Sequence, residues 1–380
     1  MAQGIGRGGF TAIDAEVPLR LHRGRARRAF GHTQMLVAAL LRHILDLMST
    51  TISPLVIGHR GASGYRPEHT RAAYDLAFAL GADAVEPDIV ATGDGVLVLR
   101  HENEISGTTN IADHPEFADR RTSKTIDGTV MTGWFTEDFT WAELSTLRAR
   151  ERLPDVRPAN MAFNDSEPIL RLSELLEIVH QHPEARRRTL RVVAEIKHAS
   201  YFESIGLPLD ELFAREVRGW ATADNLIIES FEQGVLHRIR DRGIPGKLVF
   251  LLESSGAPSD LIARSGAQAR NYAEHLTEAG LAKLAREVDG ISVDKKMLMV
   301  KDLPGNLTGT NDLVSRGHAA GLLVFCWTLR AENRFLPKNL RSSKQPEQFG
   351  DWRSEFRMLM DSGLDGVFTD QPDLAVTARG

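Results

Sequence analysis

Cysteine is almost absent from this chain, in which Cys326 is the only one among 380 residues. No disulfide can therefore form within the chain, and the fold must be stabilised by its hydrophobic core. A lone cysteine is also compatible with a reducing compartment, so we expect a cytoplasmic protein.

Long apolar runs are missing as well, and no stretch approaches the length of a transmembrane helix. The nearest candidate, Met35–Leu41, follows the basic run Arg23–Phe30 in the order of a secretory signal. However, Arg42 and His43 interrupt it, and no small-residue cleavage pattern follows. We expect residues 1–50 to be an unstructured extension, and we expect no stable membrane insertion.

The chain also lacks an excess of positive charge, since its formal net charge is −5. Charged residues make up 26% and apolar residues 42%, which are ordinary proportions for a globular protein. An acidic chain has no overall attraction for nucleic acid or for an anionic membrane, so we expect neither as a partner. A phosphate-bearing small molecule would have to be held by a local arrangement of side chains.

Short apolar runs alternate with amphipathic helical stretches from Leu55 onward. In one such stretch, Ala73, Leu76, Ala77 and Leu80 share a helical face. This alternation is typical of parallel strands joined by crossover helices, and it predicts an α/β protein with a (β/α)₈ TIM barrel. An open doubly wound sheet is the alternative, but no GxGxxG follows the first strand. The predicted strands are 55–57, 84–90, 192–196, 226–228, 248–252, 290–293, 322–327 and 366–368.

One segment, about 102–168, breaks the alternation and is rich in Thr, Asp, Gly and Arg. It contains Trp134 and Trp141, which argue against disorder, and Thr140–Glu143 is typical of a capping box that opens a helix. A connection of this length in a barrel is usually functional. We therefore expect an inserted segment folded over the barrel mouth, within a domain that spans residues 51–380.

Polar residues follow the apolar body of almost every predicted strand. In a TIM barrel the catalytic groups lie at the C-terminal ends of the strands, so these residues should converge at one mouth. In chain order they are His59, Arg60, Glu86, Asp88, His101, Glu195, Lys197, Glu229, Glu253, Asp294, Trp327 and Asp370.

Glu86 and Asp88 lie two residues apart on one predicted strand, so their carboxylates face the same side. Two inward carboxylates repel each other unless positive charge lies between them. Lys197 is one candidate partner, and a hard divalent cation with Glu195 as its third ligand is the other. Ligation by oxygen alone favours Mg²⁺, Ca²⁺ or Mn²⁺. Pro87, between the two acids, predicts a bulge or strand end there.

His59 and His101 are the candidate acid and base, because imidazole titrates near neutral pH. Arg60 can bind a phosphate through its guanidinium. We expect substrate contacts from Arg60, Lys197, Glu68 and Trp327. The remaining histidines near these motifs, His69, His114 and His198, we expect to be bystanders.

The motifs "HRGASGYRPEHT", "VEPDIVATGDGVLVLRHENEI", "AEIK", "SFEQ", "WTLRAENRFLP" and "GVFTDQPD" occur in this order after Leu55. In this respect the chain resembles the glycerophosphodiester phosphodiesterases. The resemblance implies a TIM barrel that hydrolyses glycerophosphodiesters to glycerol 3-phosphate and an alcohol such as choline or ethanolamine.

By the same resemblance, Glu86, Asp88 and Glu195 match the family's metal ligands, His59 and His101 its catalytic pair, and Arg60 its phosphate-gripping residue. Lys197 matches the lysine beside the third metal ligand. A phospholipase-type enzyme acting on lysophospholipid or phospholipid head groups is the alternative function. Glu229 is a departure, because members of the family often have glutamine at this position.

Overall fold

The computed structural model describes residues 53–380, so the extension expected over residues 1–50 lies outside the described residues. The strands are β1 (Leu55–His59), β2 (Ala84–Glu86), β3 (Asp88–Ala91), β4 (Leu97–Leu99), β5 (Thr122–Ile126), β6 (Thr129–Gly133), β7 (Arg191–Ile196), β8 (Leu226–Ser230), β9 (Lys247–Leu252), β10 (Gly290–Asp294), β11 (Met299–Lys301), β12 (Leu307–Thr310), β13 (Leu323–Leu329) and β14 (Gly366–Thr369). The α-helices are Arg71–Ala79, Trp141–Leu144, Leu172–Gln181, Ala199–Ser204, Leu209–Val217, Gln233–Asp241, Ser259–Ser265, Tyr272–His275, Glu278–Leu284, Leu313–Ala319, Trp352–Met360 and Pro372–Arg379.

A closed parallel barrel is formed by β1, β2, β7, β8, β9, β10, β13 and β14. Each of these strands pairs in parallel with both of its neighbours, and the β2–β7 and β1–β14 pairings close the ring. Most of the α-helices lie outside the ring and pack their apolar faces on it. The predicted (β/α)₈ TIM barrel is therefore confirmed.

The second predicted strand is interrupted where the sequence indicated. β2 ends at Glu86 and β3 begins at Asp88, with Pro87 between them. β3 pairs in parallel with the ring strand β7, and on its other side it pairs antiparallel with β4, which lies outside the ring. Because proline cannot donate a ladder hydrogen bond, the strand changes partners there.

The barrel interior is filled by one apolar layer that contains Ile57, Ala84, Val193, Ile227, Val249, Phe325 and Phe368. Side chains on a strand alternate between its two faces, so the residue two positions further along also points inward. Those residues are His59, Glu86, Glu195, Glu229, Leu251, Trp327 and Asp370. The same strands therefore supply the apolar layer and, two residues further on, the side chains at the barrel mouth.

The inserted segment folds onto the barrel mouth through a hairpin, short helical turns and a small aromatic core. β5 and β6 form the hairpin, and Thr140 caps the helix Trp141–Leu144 in the predicted capping box. Trp134 donates its indole N–H to the Phe117 carbonyl at 2.7 Å, while Phe117 packs edge-on against Phe139. The segment is ordered by its own contacts, as its tryptophans indicated.

Among residues 53–380, no helix combines the length and the apolar character needed to cross a membrane.

The turn after β1 needs glycine at position 61, where φ is +86°. A Cβ at Gly61 would lie 2.6 Å from the carbonyl carbon of Ala73, so the substitution is both strained and crowded. We expect Gly61→Ala to lower the free energy of unfolding by about 2 kcal/mol or more, measured by urea denaturation. Gly107→Ala is the control, because nothing lies within 4 Å of a Cβ there. Equal, small effects of both substitutions would contradict this account of the turn.

Candidate active site

The mouth of the barrel contains a cavity of about 600 Å³. Most of the predicted site residues line it, namely His59, Arg60, Glu86, His101, Glu195, Lys197, Glu229 and Trp327. Two predicted residues, Asp88 and Glu68, are buried just behind this surface rather than on it. Most of the polar residues that follow the strands therefore meet at one mouth of the barrel, as the sequence predicted.

Three buried carboxylates form an acidic cluster: Glu86, Asp88 and Glu195 each place one oxygen within 4.8 Å of the others. The cluster results from strand register, because Asp88 lies opposite Glu195 on the neighbouring strand. Within the described part of the chain, Glu86 Oε1 and Asp88 Oδ1 accept no hydrogen bond. Unsatisfied oxygen ligands from three carboxylates fit a hard divalent cation.

If all three were ionised, the carboxylates would carry more negative charge than Arg60 and Lys197 balance. Burial, followed by the charge of Asp88, raises the pKa of Glu86 well above its usual range. Burial also raises the pKa of Glu195 to about 7, although Lys197 Nζ lies 3.0 Å from its Oε1. Lys197 is 3.9 Å from Asp88, so the lysine partner considered from the sequence is present but serves only part of the cluster.

Arg60 is held in place by acidic side chains on two sides. Its guanidinium donates to Glu68 at 2.9 Å and forms an ion pair with Asp88 at 3.0 Å, while its backbone N–H donates to Glu86. Glu68 also accepts from Arg152 of the inserted segment. Burial opposes a charge on Asp88, but Arg60 and its neighbours hold the pKa of Asp88 well below its usual range. Glu68 therefore lies one layer behind Arg60, where it orients the guanidinium.

His59 is hydrogen-bonded to Asp370, for which the sequence predicted only a position after the last strand. Its Nδ1 lies 2.6 Å from Asp370, and Asp370 also accepts from Arg157 at 2.5 Å and from Arg330 at 2.6 Å. Burial opposes ionisation of Asp370, but the two arginines hold its pKa well below its usual range. Burial, with the charge of Arg60, lowers the pKa of His59 to about 3. A neutral imidazole therefore donates from Nδ1 to an ionised Asp370 and leaves Nε2 for the cavity.

His101 begins a second chain of hydrogen bonds, which we call the histidine relay. Its Nδ1 lies 2.8 Å from Glu102, Glu102 lies 3.1 Å from His198, and His198 lies 2.6 Å from Asp127. Asp127 is in the turn of the β5–β6 hairpin, so the inserted segment contacts the site directly. Burial lowers the pKa of His101 to about 4. Against the cost of burial, the two carboxylates raise the pKa of His198 to about 9, so this histidine is charged at neutral pH.

The expectation that His198 and His69 are bystanders does not match the geometry. His198 belongs to the histidine relay, and His69 Nε2 lies 2.9 Å from the cluster residue Asp88. Only His114 lies apart, bonded to Glu116 on the surface of the inserted segment. These links join residues far apart in sequence, and no local spacing signals them.

Trp327 and Glu229 also line the cavity. Trp327 packs edge-on against Phe231 with ring centroids 5.9 Å apart. Glu229 lies beside Glu195 in strand register and is buried. Burial, followed by the charge of Glu195, raises the pKa of Glu229 well above its usual range. The raised pKa favours the neutral form of Glu229, which would repel a phosphate less than an ionised carboxylate would.

Residues 59–374 match the sequence model of the Glycerophosphoryl diester phosphodiesterase family. The chain belongs to this family. It is similar to glycerophosphodiester phosphodiesterase GDPD6 of Arabidopsis thaliana, with 31% identity over 87% of this chain and 87% of that protein. It is also similar to the glycerophosphodiester phosphodiesterase of Haemophilus influenzae, with 24% identity over 85% and 88% of the two chains.

Solved structures of the family share the fold. A phosphodiesterase of Oleispira antarctica, solved with the product sn-glycerol-3-phosphate, aligns with a TM-score of 0.54 and 21% identity over 86% of this chain and 96% of that one. A glycerophosphodiester phosphodiesterase of Parabacteroides distasonis aligns with a TM-score of 0.52 and 16% identity over 86% and 97%. Family membership confirms the expected enzyme class, a phosphoric diester hydrolase that acts on glycerophosphodiesters.

The charged His198 should stabilise the protein only while it is protonated. Its pKa is raised from 6.5 to about 9 on folding, so its contribution is complete below pH 6.5 and is lost as the pH rises through 9. We expect His198→Gln to lower the free energy of unfolding by up to about 3 kcal/mol more at pH 6 than at pH 10, measured by urea denaturation. The control His180→Gln removes an exposed histidine of the helix Leu172–Gln181 and should show no such difference. A pH-independent loss in His198→Gln would contradict the relay.

Proposed function

We propose that this cavity binds the phosphate of a glycerophosphodiester between the acidic cluster and the two carboxylate-bonded histidines, and hydrolyses it to glycerol 3-phosphate and an alcohol. The observation that carries the proposal is the juxtaposition of these two features in one cavity. The acidic cluster provides a place for a cation, and His59 and His101 are both anchored through Nδ1. Phosphodiester hydrolysis needs both positive charge at the phosphate and proton transfer to and from oxygen.

Glu86, Asp88 and Glu195 would hold a divalent cation, which would supply positive charge to offset the charge of the phosphate oxygens. Mg²⁺ and Ca²⁺ are the first candidates and Mn²⁺ the third, because all the donors are oxygens. Arg60 adds a guanidinium that Glu68 and Asp88 keep in one orientation. In this scheme Glu68 is a positioning residue rather than a group that contacts the substrate.

Lys197 and Trp327 are also proposed to contact the substrate. Lys197 Nζ lies between the acidic cluster and the ring of Phe231, 5.8 Å from its centroid. Its charge can therefore reach a phosphate that lies against the cluster. Trp327 lines the cavity beside Phe231 and offers an aromatic surface together with an indole N–H that has no partner among residues 53–380.

Proton transfer is assigned to the two histidines. His59 takes the proton of the attacking oxygen at Nε2, because the ionised Asp370 behind it stabilises the imidazolium that forms. His101 gives a proton to the leaving alkoxide as the bond between phosphorus and that oxygen breaks. The bound phosphate supplies negative charge near His101 and thereby raises the pKa that burial has lowered.

Hydrolysis of lysophospholipid is the second candidate function. Ile262 lines the cavity and is 48% exposed, while Val130 is 71% exposed beside Thr129, another lining residue. Apolar side chains at the rim suit a substrate with an acyl chain. Lysophosphatidylcholine tests this candidate: its hydrolysis at a rate comparable with glycerophosphocholine would favour it, and its rejection would exclude it.

We further propose a cytoplasmic location, supported by Cys326, the one cysteine of the chain, which lies buried as a free thiol. Cell fractionation tests this location directly.

Metal dependence is the first expected property of the reaction. EDTA should abolish release of glycerol 3-phosphate from glycerophosphocholine, and one of Mg²⁺, Ca²⁺ or Mn²⁺ should restore it, because the acidic cluster lacks balancing charge. Glu195→Gln should reduce the rate by about a hundredfold or more in the presence of that metal. Glu177→Gln, on the exposed face of the helix Leu172–Gln181, is the control. Full activity in EDTA would refute the role of the cluster.

Loss of His101 should affect turnover alone. We expect His101→Ala to lower kcat by about a hundredfold to ten-thousandfold, the usual contribution of a positioned acid or base. The stabilisation of the protein by the activating metal should be unchanged, because His101 is not part of the acidic cluster. His114→Ala, which removes a histidine on the surface of the inserted segment, should keep wild-type kcat. Unchanged turnover in His101→Ala would remove this residue from the mechanism.

A further inference from the structure

A second cavity, of about 400 Å³, adjoins the catalytic cavity at the barrel mouth. Its walls come from the end of β10, the β11–β12 hairpin and the loop that follows β13. The two cavities share four lining residues, which are Trp327, Thr328, Arg330 and Phe335. The two cavities are therefore neighbours at the barrel mouth.

The lining of this cavity, which we call the basic groove, is strongly positive. Its basic residues are Lys295, Lys296, Lys301, Arg330, Arg334, Lys338 and Arg341, and Asp294 is the acidic residue among them. The chain as a whole carries a net charge of −5, so the groove opposes the overall charge. Such a local concentration of positive charge favours a negatively charged ligand.

Some of these cations are already neutralised by the fold. Lys295 is buried and lies 2.9 Å from Glu355, and Arg330 lies 2.6 Å from Asp370. Lys296 is 3.9 Å from Asp294. The first two pairs hold the wall of the groove and the junction with the catalytic cavity, whereas Lys296 stays largely exposed.

Of the four other cations, Arg341 donates to the Leu336 carbonyl, and the remaining three are available to a ligand. Lys301, Arg334 and Lys338 are exposed, and no carboxylate oxygen between residues 53 and 380 lies within 4.0 Å of their side-chain nitrogens. They come from two separate segments: Lys301 ends the hairpin strand β11, and Arg334 and Lys338 lie in the loop after β13. Unpaired like charges brought together by different segments repel one another, and a bound anion removes that repulsion.

We propose that the basic groove binds a second anionic group of the substrate, a phosphate carried by the alcohol half of the diester. The proposal rests on the function proposed above, because the reacting phosphate must lie at the histidines for the alcohol to reach the groove. Arg330 marks the junction, since it lines both cavities and its guanidinium lies 4.7 Å from the ring of Phe335. The preferred substrates are therefore diesters whose alcohol is itself phosphorylated.

Two soluble diesters test the preference. Glycerophosphoglycerol has a neutral alcohol, and bis(glycerophospho)glycerol adds a second phosphate beyond the same glycerol. In the wild type we expect a KM about tenfold lower for the second compound, beyond the about twofold advantage of its two equivalent diesters. Lys301→Ala/Arg334→Ala/Lys338→Ala should remove this advantage and leave kcat/KM for glycerophosphoglycerol unchanged.

Lys247→Ala is the control, because it removes one exposed cation at the opposite end of the barrel, where β9 begins. Equal KM values for the two diesters in the wild type would overturn the proposal. An equal loss on both diesters in the triple variant would overturn it as well. So would a triple variant that keeps the preference and loses only its binding to phosphatidylglycerol vesicles, because the groove would then serve a lipid surface.

Calorimetric titration with bis(glycerophospho)glycerol separates this proposal from the proposed function. The wild type should bind this compound about tenfold more tightly than the triple variant, whether or not turnover occurs. Tighter binding with no hydrolysis of either diester would retain the groove and reject the reaction. Hydrolysis with equal binding by the two proteins would retain the reaction and reject the groove.

Discussion

Buried negative charge is the constraint on which the arrangement of this active site depends. The barrel register brings Glu86, Asp88 and Glu195 together at the mouth, and burial makes each of them costly to ionise without a partner. Arg60 and Lys197 balance part of that charge. A divalent cation bound at the cluster would balance the remainder, and it would supply positive charge where a phosphodiester substrate needs it.

Around this cluster, carboxylates also fix the orientation of the groups to which we assign proton transfer and phosphate binding. Asp370 anchors His59, Glu102 anchors His101, and Glu68 anchors Arg60. The inserted segment contributes to these supports through Arg157, which bonds Asp370, and through Asp127, which ends the histidine relay. The insertion is thus a structural part of the active site as well as a cover for it.

The barrel could be predicted from the alternation of apolar runs with amphipathic helices, and most of the candidate site from polar residues at the ends of those runs. Ile57 and His59 lie on one face of one strand, and the same relation gives the inward direction of each polar strand end. The supports could not be predicted in this way. His59 and Asp370 are 311 positions apart, and Arg157 and Asp370 are 213 apart. Arg157 and Asp127 also lie in the insertion, where no regular pattern assigns a direction to a side chain. Contacts of that kind follow only from the closed fold.

The central claim, that the acidic cluster is a cation site, is tested most directly by thermal unfolding with and without Mg²⁺ or Ca²⁺. A ligand at a hundred times its Kd stabilises a folded protein by about 2.7 kcal/mol. The account predicts an increase of Tm in the wild type, saturating with metal concentration, and no such increase in Glu86→Gln/Asp88→Asn/Glu195→Gln. An equal increase in this variant, or none in the wild type with any divalent cation, would contradict it.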